Sequence, residues 1–323
     1  MLLVMEMTIT LKTCEKTRDM MDEFYRDSKR EKTPQYALFQ ADDGDTVLTL
    51  YQSGKAVFQG VDADIASQYW IETEKINSGK VEYTNSDNKE KKKVKEEQEK
   101  KENNLYHNVN SVGSDEVGTG DYFGPIVVTS TYVTKEDVNY LDELGVMDSK
   151  KINDEKILKI APLIAKRVKY KSMILNNLDY NTFHSKDYNM NKIKAILHNK
   201  VLYQMINEEH PKYDYIIVDQ FAMEHKYYEY IKDSPNIQKD ITFMTKAEDK
   251  CLSVACASII SRYIFLKEFD KLSDNLHIPL PKGAGKDVDK IGEEIVEKYG
   301  KEKLKEVAKL NFLNTERILK TKI

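Results

Sequence analysis

The sequence predicts an α/β fold in two parts, a small α+β domain followed by a larger domain of apolar strands separated by helices. Three observations carry this. The run from Lys89 to Glu102 is almost entirely Lys, Glu and Gln, offers almost nothing to bury and so marks a boundary. Before it, short β-forming runs alternate with Asp- and Gly-rich turns, the pattern of a meander. After it the strands are longer and more apolar, with helical periodicities between them. A chain of 323 residues has room for two cores, and the expected boundaries are 1–84, a charged linker over 85–104, and 105–323.

The elements follow in order. Residues 36–40, Tyr-Ala-Leu-Phe-Gln, and Thr46 to Gln52 flank an Asp-Asp-Gly-Asp turn and read as a hairpin. A second turn at Ser53-Gly54-Lys55 leads into Ala56-Val57-Phe58-Gln59-Gly60, and helical patterns near 11–29 and 62–79 flank this meander. The unit reads either as a plain packing domain or as a sheet face that presents polar and aromatic side chains. In the larger part, Gly124 to Val133 and Val168 to Leu175 read as strands, the second alternating between apolar and polar positions. Tyr213 to Val218 is a short, continuously apolar strand, as expected within a covered sheet. Helices are expected at 153–166, 191–209, 250–271 and 287–309.

Bulk composition narrows the function classes. The formal charge of -4 excludes a protein that holds nucleic acid by a global positive field, so any such contact is local. The lysines of the 89–102 run could form a phosphate-binding arm, but the interleaved glutamates nearly cancel them and favour a solvated linker. The 20 tyrosines against one tryptophan imply many half-buried aromatic positions, as a binding surface or a surface-rich small domain would have. Cys14, Cys251 and Cys256 are odd in number and lack metal-ligand spacing, which argues against disulfides and zinc and for a reducing compartment. The apolar start Met1 to Met5 is too short for a signal segment, and no stretch approaches a membrane span. The expected setting is cytoplasmic.

Four acids stand out. Ser114-Asp115-Glu116-Val117-Gly118-Thr119-Gly120-Asp121-Tyr122-Phe123-Gly124-Pro125 puts two adjacent carboxylates at a strand end before a glycine-rich turn. Neighbours on a strand point to opposite faces, so a shared site requires a bulge or the strand's end. An Asp- and Gly-rich turn without a chemical role has the same composition. Asp219 ends the apolar strand 215–218, where α/β sheets deliver catalytic groups from carboxyl ends, though an aspartate capping a following helix looks alike. Glu248 or Asp249 stands at the start of the helix Cys251 to Arg262, where the helix dipole favours negative charge, and simple capping is again compatible. Carboxylates delivered to one place from separate strand and helix ends would repel one another unless cations neutralised them. Converging oxygen ligands suit Mg2+ or Mn2+. Paired ions roughly 3.5–4 Å apart stabilise both attacking and leaving oxygens in phosphoryl displacement, so the chemistry indicated is phosphodiester hydrolysis.

The segment Asp115 to Pro125 resembles the signature of bacterial ribonuclease HIII, a type 2 ribonuclease H; ribonuclease HII usually has arginine where this chain has Thr119. Asp148-Ser149-Lys150-Lys151, Asn189-Met190-Asn191-Lys192-Ile193-Lys194-Ala195 and the Lys246-Ala247-Glu248 to Ser258-Ile259-Ile260 block match as well. The segment Tyr51 to Gly60 resembles the TBP-like amino-terminal domain of that family. The resemblance implies a ribonuclease H-like mixed sheet flanked by helices and a metal-binding quartet of Asp115, Glu116, Asp219 and Glu248. Glu248 is chosen over Asp249 by register, standing ten residues before Ser258. It further implies that Gly118, Thr119 and Gly120 touch ribose 2′-hydroxyls, that Lys150 and Lys151 bind phosphate, and that Tyr51, Ser53, Lys55 and Gln59 grip the substrate by backbone and shape. The expected partner is an RNA/DNA hybrid, with Mg2+ or Mn2+, no organic cofactor and no membrane, acted on by a monomer. Two alternatives remain at this level, incision at single ribonucleotides in DNA and a non-catalytic hybrid-binding protein.

Overall fold

A computed structural model of the protein describes residues 7–85, 105–146, 152–184 and 188–320. The charged run 89–102 and the pair Lys150-Lys151 lie outside the described residues. The chain divides into two compact units, residues 1–97 with 221–226 and residues 98–220 with 227–323.

In the first unit the strands β1 (Met7–Lys12), β2 (Ala37–Asp43), β3 (Thr46–Tyr51), β4 (Lys55–Gly60) and β5 (Glu82–Asn85) form one sheet in the order β2-β3-β4-β1-β5. The hairpin and meander occur as the turn chemistry predicted. The helical pattern read over 11–29 is shorter, α1 (Glu15–Phe24), because Thr8-Ile9-Thr10-Leu11 alternates with period two and joins the sheet as β1. With α2 (Ala63–Ser78), α1 supplies Met21 and Trp70 to a core that also contains Ile9, Leu11, Phe39, Leu48, Leu50 and Phe58. Tyr25 completes this core, its hydroxyl accepting from Trp70 Nε1 at 2.9 Å and donating to Asp43 at 2.7 Å. The alternate residues lie on the other sheet face. Register pairs Thr10 with Val57, Lys12 with Lys55, and Val47 with Gln59, so Thr8, Lys12, Tyr51, Lys55 and Gln59 share that face.

The second unit is built on β6 (Ser111–Val117), β7 (Ile126–Val133), β8 (Lys169–Leu175), β9 (Tyr215–Asp219) and β10 (Ile241–Met244), in the order β10-β9-β6-β7-β8. The first three strands pair antiparallel, whereas β9 runs parallel to β6 and β10 parallel to β9. Helices α3 (Val138–Glu143), α4 (Asp154–Arg167), α5 (Asn177–Phe183), α6 (Met190–Glu209), α7 (Glu224–Ile231) and α8 (Leu252–Leu276) follow in chain order.

Two of these helices sandwich the sheet's centre. On one face α6 brings Ile193, Leu197 and Val201 onto Ile126 and Val128. On the other, α8 comes unusually close, because the strand residues beneath it are small and polar. A Cβ on Gly113 would stand 2.5 Å from both Ser253 Oγ and Val254 N, so this approach requires glycine. The polar groups trapped there are satisfied: Ser111 Oγ donates to Ser253 Oγ at 2.9 Å and Thr131 Oγ1 to the Ser253 carbonyl at 2.6 Å.

The single helix read over 287–309 is instead α9 (Lys286–Tyr299) and α10 (Leu304–Val307), broken where Gly300 adopts φ 83°, with α11 (Leu313–Lys320) following. Among the described residues no helix is long and apolar enough to cross a membrane.

Candidate active site

Parallel pairing of β6 with β9 matches Ser114 to Val218, which brings Asp115 and Asp219 side by side at the carboxyl ends of two central strands. A third acid reaches them from the segment that enters α8. There Lys246 takes a left-handed conformation (φ 55°), turning the chain from β10 into the short 3-10 turn Ala247–Asp249. Asp219 Oδ1 accepts from the Ala247 backbone N–H at 2.9 Å and secures that turn. Glu248 is thereby buried, whereas Asp249 is exposed.

Asp115 is held from several sides. Its Oδ1 accepts from the Glu116 backbone N–H at 2.8 Å, its side chain bonds to Ser258, and its carbonyl accepts from Ser261 Oγ at 3.1 Å. Ser258 and Ser261 both belong to α8, so the close approach at Gly113 is what puts them within reach.

Glu116 departs from this group. The β6-β7 ladder runs in regular register through Val117, with no bulge, so Asp115 and Glu116 point to opposite faces. Asp115 faces α8, and Glu116 faces α6. There Lys194 Nζ bonds Glu116 Oε1 and His198 Nε2 bonds Glu116 Oε2, each at 2.8 Å, while His198 Nδ1 meets Ser114 Oγ at 2.8 Å. Lys194 and His198 stand four residues apart on one helix, a spacing that puts both on one face. That spacing is the sequence signal of a shared face; Lys194 lies within the Asn189 to Ala195 motif, and nothing else in the sequence singles out His198.

The electrostatics separate the acids. Burial, then the negative charges of Glu116 and Glu248, push the Asp115 carboxyl up to about 8. Burial, then Glu248 and Asp115, raise Asp219 well above its ordinary value. Burial also opposes ionisation of Glu116, but the Lys194 charge and the His198 contacts outweigh it and hold that carboxyl well below the carboxylate range. Among the described residues no three His, Cys, Asp or Glu side chains are gathered closely enough to hold a metal ion as they stand. The donor set still fits a hard divalent cation in kind. Half-buried Asp115 and Asp219 are raised by burial and by the negative charges beside them, with buried Glu248 among those charges, and a cation placed between the acids would relieve that repulsion.

The glycine-rich turn after β6 is rigidly set. Gly118 has φ 96°, and a Cβ there would lie 2.2 Å from the Pro125 carbonyl oxygen. Thr119 and Gly120, half-buried, form the tip of this turn. Its far side is fastened to the segment between α8 and α9 and to the end of α10. Asp121 accepts from the Gly283 N–H at 2.6 Å, the Tyr122 N–H donates to the Gly283 carbonyl at 2.9 Å, and the Gly124 N–H to the Val307 carbonyl at 3.1 Å. Lys309 is fully buried and its ammonium donates to the Asp121 and Gly124 carbonyls at 2.7 and 2.6 Å. Burial, partly offset by Asp121, lowers its pKa to about 7. Nothing local marks Lys309, which sits in a lysine- and glutamate-rich stretch that reads as a solvated helix.

Of the remaining expected residues, Tyr51, Lys55 and Gln59 share the sheet face described above in the first unit, with Ser53 exposed in the β3-β4 turn. Lys150 and Lys151 are outside the described residues.

The family model for ribonuclease HII matches residues 112–315, and a domain family of unknown function matches residues 8–82. A ribonuclease HIII from Bacillus cereus is 38% identical over 318 residues, covering 98% of this chain and 99% of the relative. The chain belongs to the ribonuclease HIII family. A crystal structure of Bst-RNase HIII in complex with Mn2+ matches this family member with a TM-score of 0.67 and 35% identity, covering 97% of this chain and 98% of that one. Aquifex aeolicus RNase H3, at 22% identity and a TM-score of 0.52 over 94% of the chain, shares the ribonuclease HIII fold.

Proposed function

We infer that this ribonuclease HIII family member is an endoribonuclease that hydrolyses the RNA strand of RNA/DNA hybrids with the help of divalent metal ions, leaving 3′-hydroxyl and 5′-phosphate ends. The observation that carries the reading is the meeting of Asp115, Asp219 and Glu248 beside the carboxyl ends of two parallel strands, where burial and the neighbouring negative charges raise the proton affinity of Asp115 and Asp219. Mg2+ or Mn2+ held by these acids and Glu116 would supply an activated water and neutralise charge on the scissile phosphate.

The chain's own groups do the rest. Ser258 and Ser261 orient Asp115, and the Ala247 N–H orients Asp219. The backbone at Gly118, Thr119 and Gly120 is suited to read ribose 2′-hydroxyls, the group that distinguishes RNA from DNA. Lys150 and Lys151 supply phosphate contacts. Residues 1–84 act as a TBP-like clamp, with Tyr51, Ser53, Lys55 and Gln59 gripping the duplex by backbone and shape, joined through 85–104 to a catalytic domain over 105–323. Hybrid affinity then resides in the clamp while the pocket stays acidic, which reconciles nucleic-acid binding with a net charge of -4. The enzyme works in the cytoplasm as a monomer and needs no organic cofactor.

The test is a cleavage assay on a uniform hybrid, double-stranded RNA, and a DNA duplex containing a single ribonucleotide. Cleavage of the first alone is expected. Incision at the single ribonucleotide would instead mark an enzyme of ribonuclease HII type, and hybrid binding without any cleavage would mark a non-catalytic protein. Asp115→Asn is expected to lower turnover by more than about a hundredfold, the upper end of what changes around metal ligands cost, with hybrid binding kept. Unchanged turnover in that variant would refute the reading.

A further inference from the structure

Both carboxylate oxygens of Glu116 are engaged, and the two partners differ in kind. His198 is completely buried, and its second ring nitrogen is bonded to Ser114, two residues before Glu116 on the same strand. One neutral tautomer accounts for both bonds, with the Ser114 hydroxyl donating to Nδ1 and Nε2–H donating to Glu116. The ring is therefore braced against the sheet and cannot leave without breaking two buried hydrogen bonds. Lys194 is a compact positive charge on a flexible four-carbon stem, one helical turn earlier, and its side chain keeps 11% exposure. That stem has rotatable bonds through which the ammonium can shift, which the braced ring lacks.

We propose that Lys194 is a built-in stand-in cation, which neutralises Glu116 in the metal-free enzyme and must release it before a divalent ion is bound, while His198 is the positioning residue that keeps the carboxylate aimed throughout. This rests on the reading of Glu116 as a metal ligand. An ammonium and a divalent ion cannot share one carboxylate oxygen at low cost, because their mutual repulsion is weakly screened in a buried site. A neutral N–H on the other oxygen is compatible with the ion, and fixes which lone pairs face it. Removing the two partners should then move metal affinity in opposite directions, which a merely structural role for either would not produce.

The experiment is Mn2+ titration of the full-length protein by calorimetry, without substrate. Lys194→Met is expected to bind Mn2+ about tenfold more tightly than wild type, Lys194→Arg to stay near wild type because it keeps the competing charge, and His198→Ala to bind about tenfold more weakly, within the range that outer ligand contacts command. Lys194→Gln, with a shorter neutral side chain, should also bind more tightly, and serves if the methionine variant folds poorly. The rise in melting temperature on adding Mn2+ should be larger in either neutral variant than in wild type. Wild-type or weaker affinity in both neutral variants would overturn the proposal. Glu116→Gln separates the two layers: if it leaves Mn2+ affinity unchanged, the reading of Glu116 as a ligand falls and this proposal with it.

Discussion

At the level of single residues, the buried ionisable groups make stability depend on pH in ways that can be separated. Without metal, Asp115 keeps its proton up to about pH 8, whereas in an unfolded chain an aspartate loses it near 3.9. Between these values the folded state binds the extra proton, so this contribution is present in full below the lower value and lost as pH rises through 8. In chelator, wild type is therefore expected to lose stability between pH 5 and 8 by on the order of 1 kcal/mol per pH unit at most, relative to Asp115→Asn, measured by urea unfolding. A difference that stays flat across that range would contradict the assignment. Lys309 has the opposite sign. Its folded pKa is about 7, against roughly 10.4 when unfolded, so between those values the unfolded chain binds the extra proton and stability rises with pH. Wild type should gain on Lys309→Met from pH 7 to 9.5, and urea midpoints for the two proteins at both ends of the range would reveal the trend.

Among elements, the contact of α8 with β6 decides whether the acids are aligned. A methyl group on Gly113 would meet the Val254 N and the Ser253 carbonyl carbon at 2.5 and 2.7 Å, and backbone cannot step aside as a side-chain tip can. Gly113→Ala is expected to cost about 1–3 kcal/mol in urea unfolding. It should also depress turnover, because a displaced α8 carries Ser258 and Ser261 away from Asp115; full activity in a destabilised variant would argue against this coupling. The elements themselves were largely legible in the sequence. The run Tyr215-Ile216-Ile217-Val218 announced a covered strand ending in Asp219. Four-residue β10 was not legible, since only its parallel pairing with β9 makes it a strand. Gly300 broke the helix expected over 287–309 by taking φ 83°, a conformation open mainly to glycine that the lysine- and glutamate-rich pattern did not reveal. The division of Asp115 from Glu116 was legible only as a condition, that a shared face needs a bulge, and the regular β6-β7 ladder has none.

Across the whole molecule, the sequence conveyed the two cores and the acids at strand ends, but not the contacts that span long stretches of chain. Lys194 and His198 meet Glu116 across 78 and 82 residues (194 − 116 and 198 − 116), and spacing within α6 shows only that they share a helix face, not what that face meets. The proposed division of labour between the two domains has a direct readout. Lys55→Ala, on the face shared with Tyr51 and Gln59, is expected to raise KM for a hybrid with kcat unchanged, and to reduce the slope of log affinity against log salt by about one. A change in kcat alone would place Lys55 elsewhere in the reaction. The bond from Lys309 to Gly124 joins residues 185 positions apart, and this has a bearing on synthesis. During translation the turn that follows the Asp115-Glu116 pair leaves the ribosome long before the lysine that clasps it. Nascent chains arrested before residue 309 are expected to hold the acids but not the finished turn, and so to leave hybrids near the ribosome uncut.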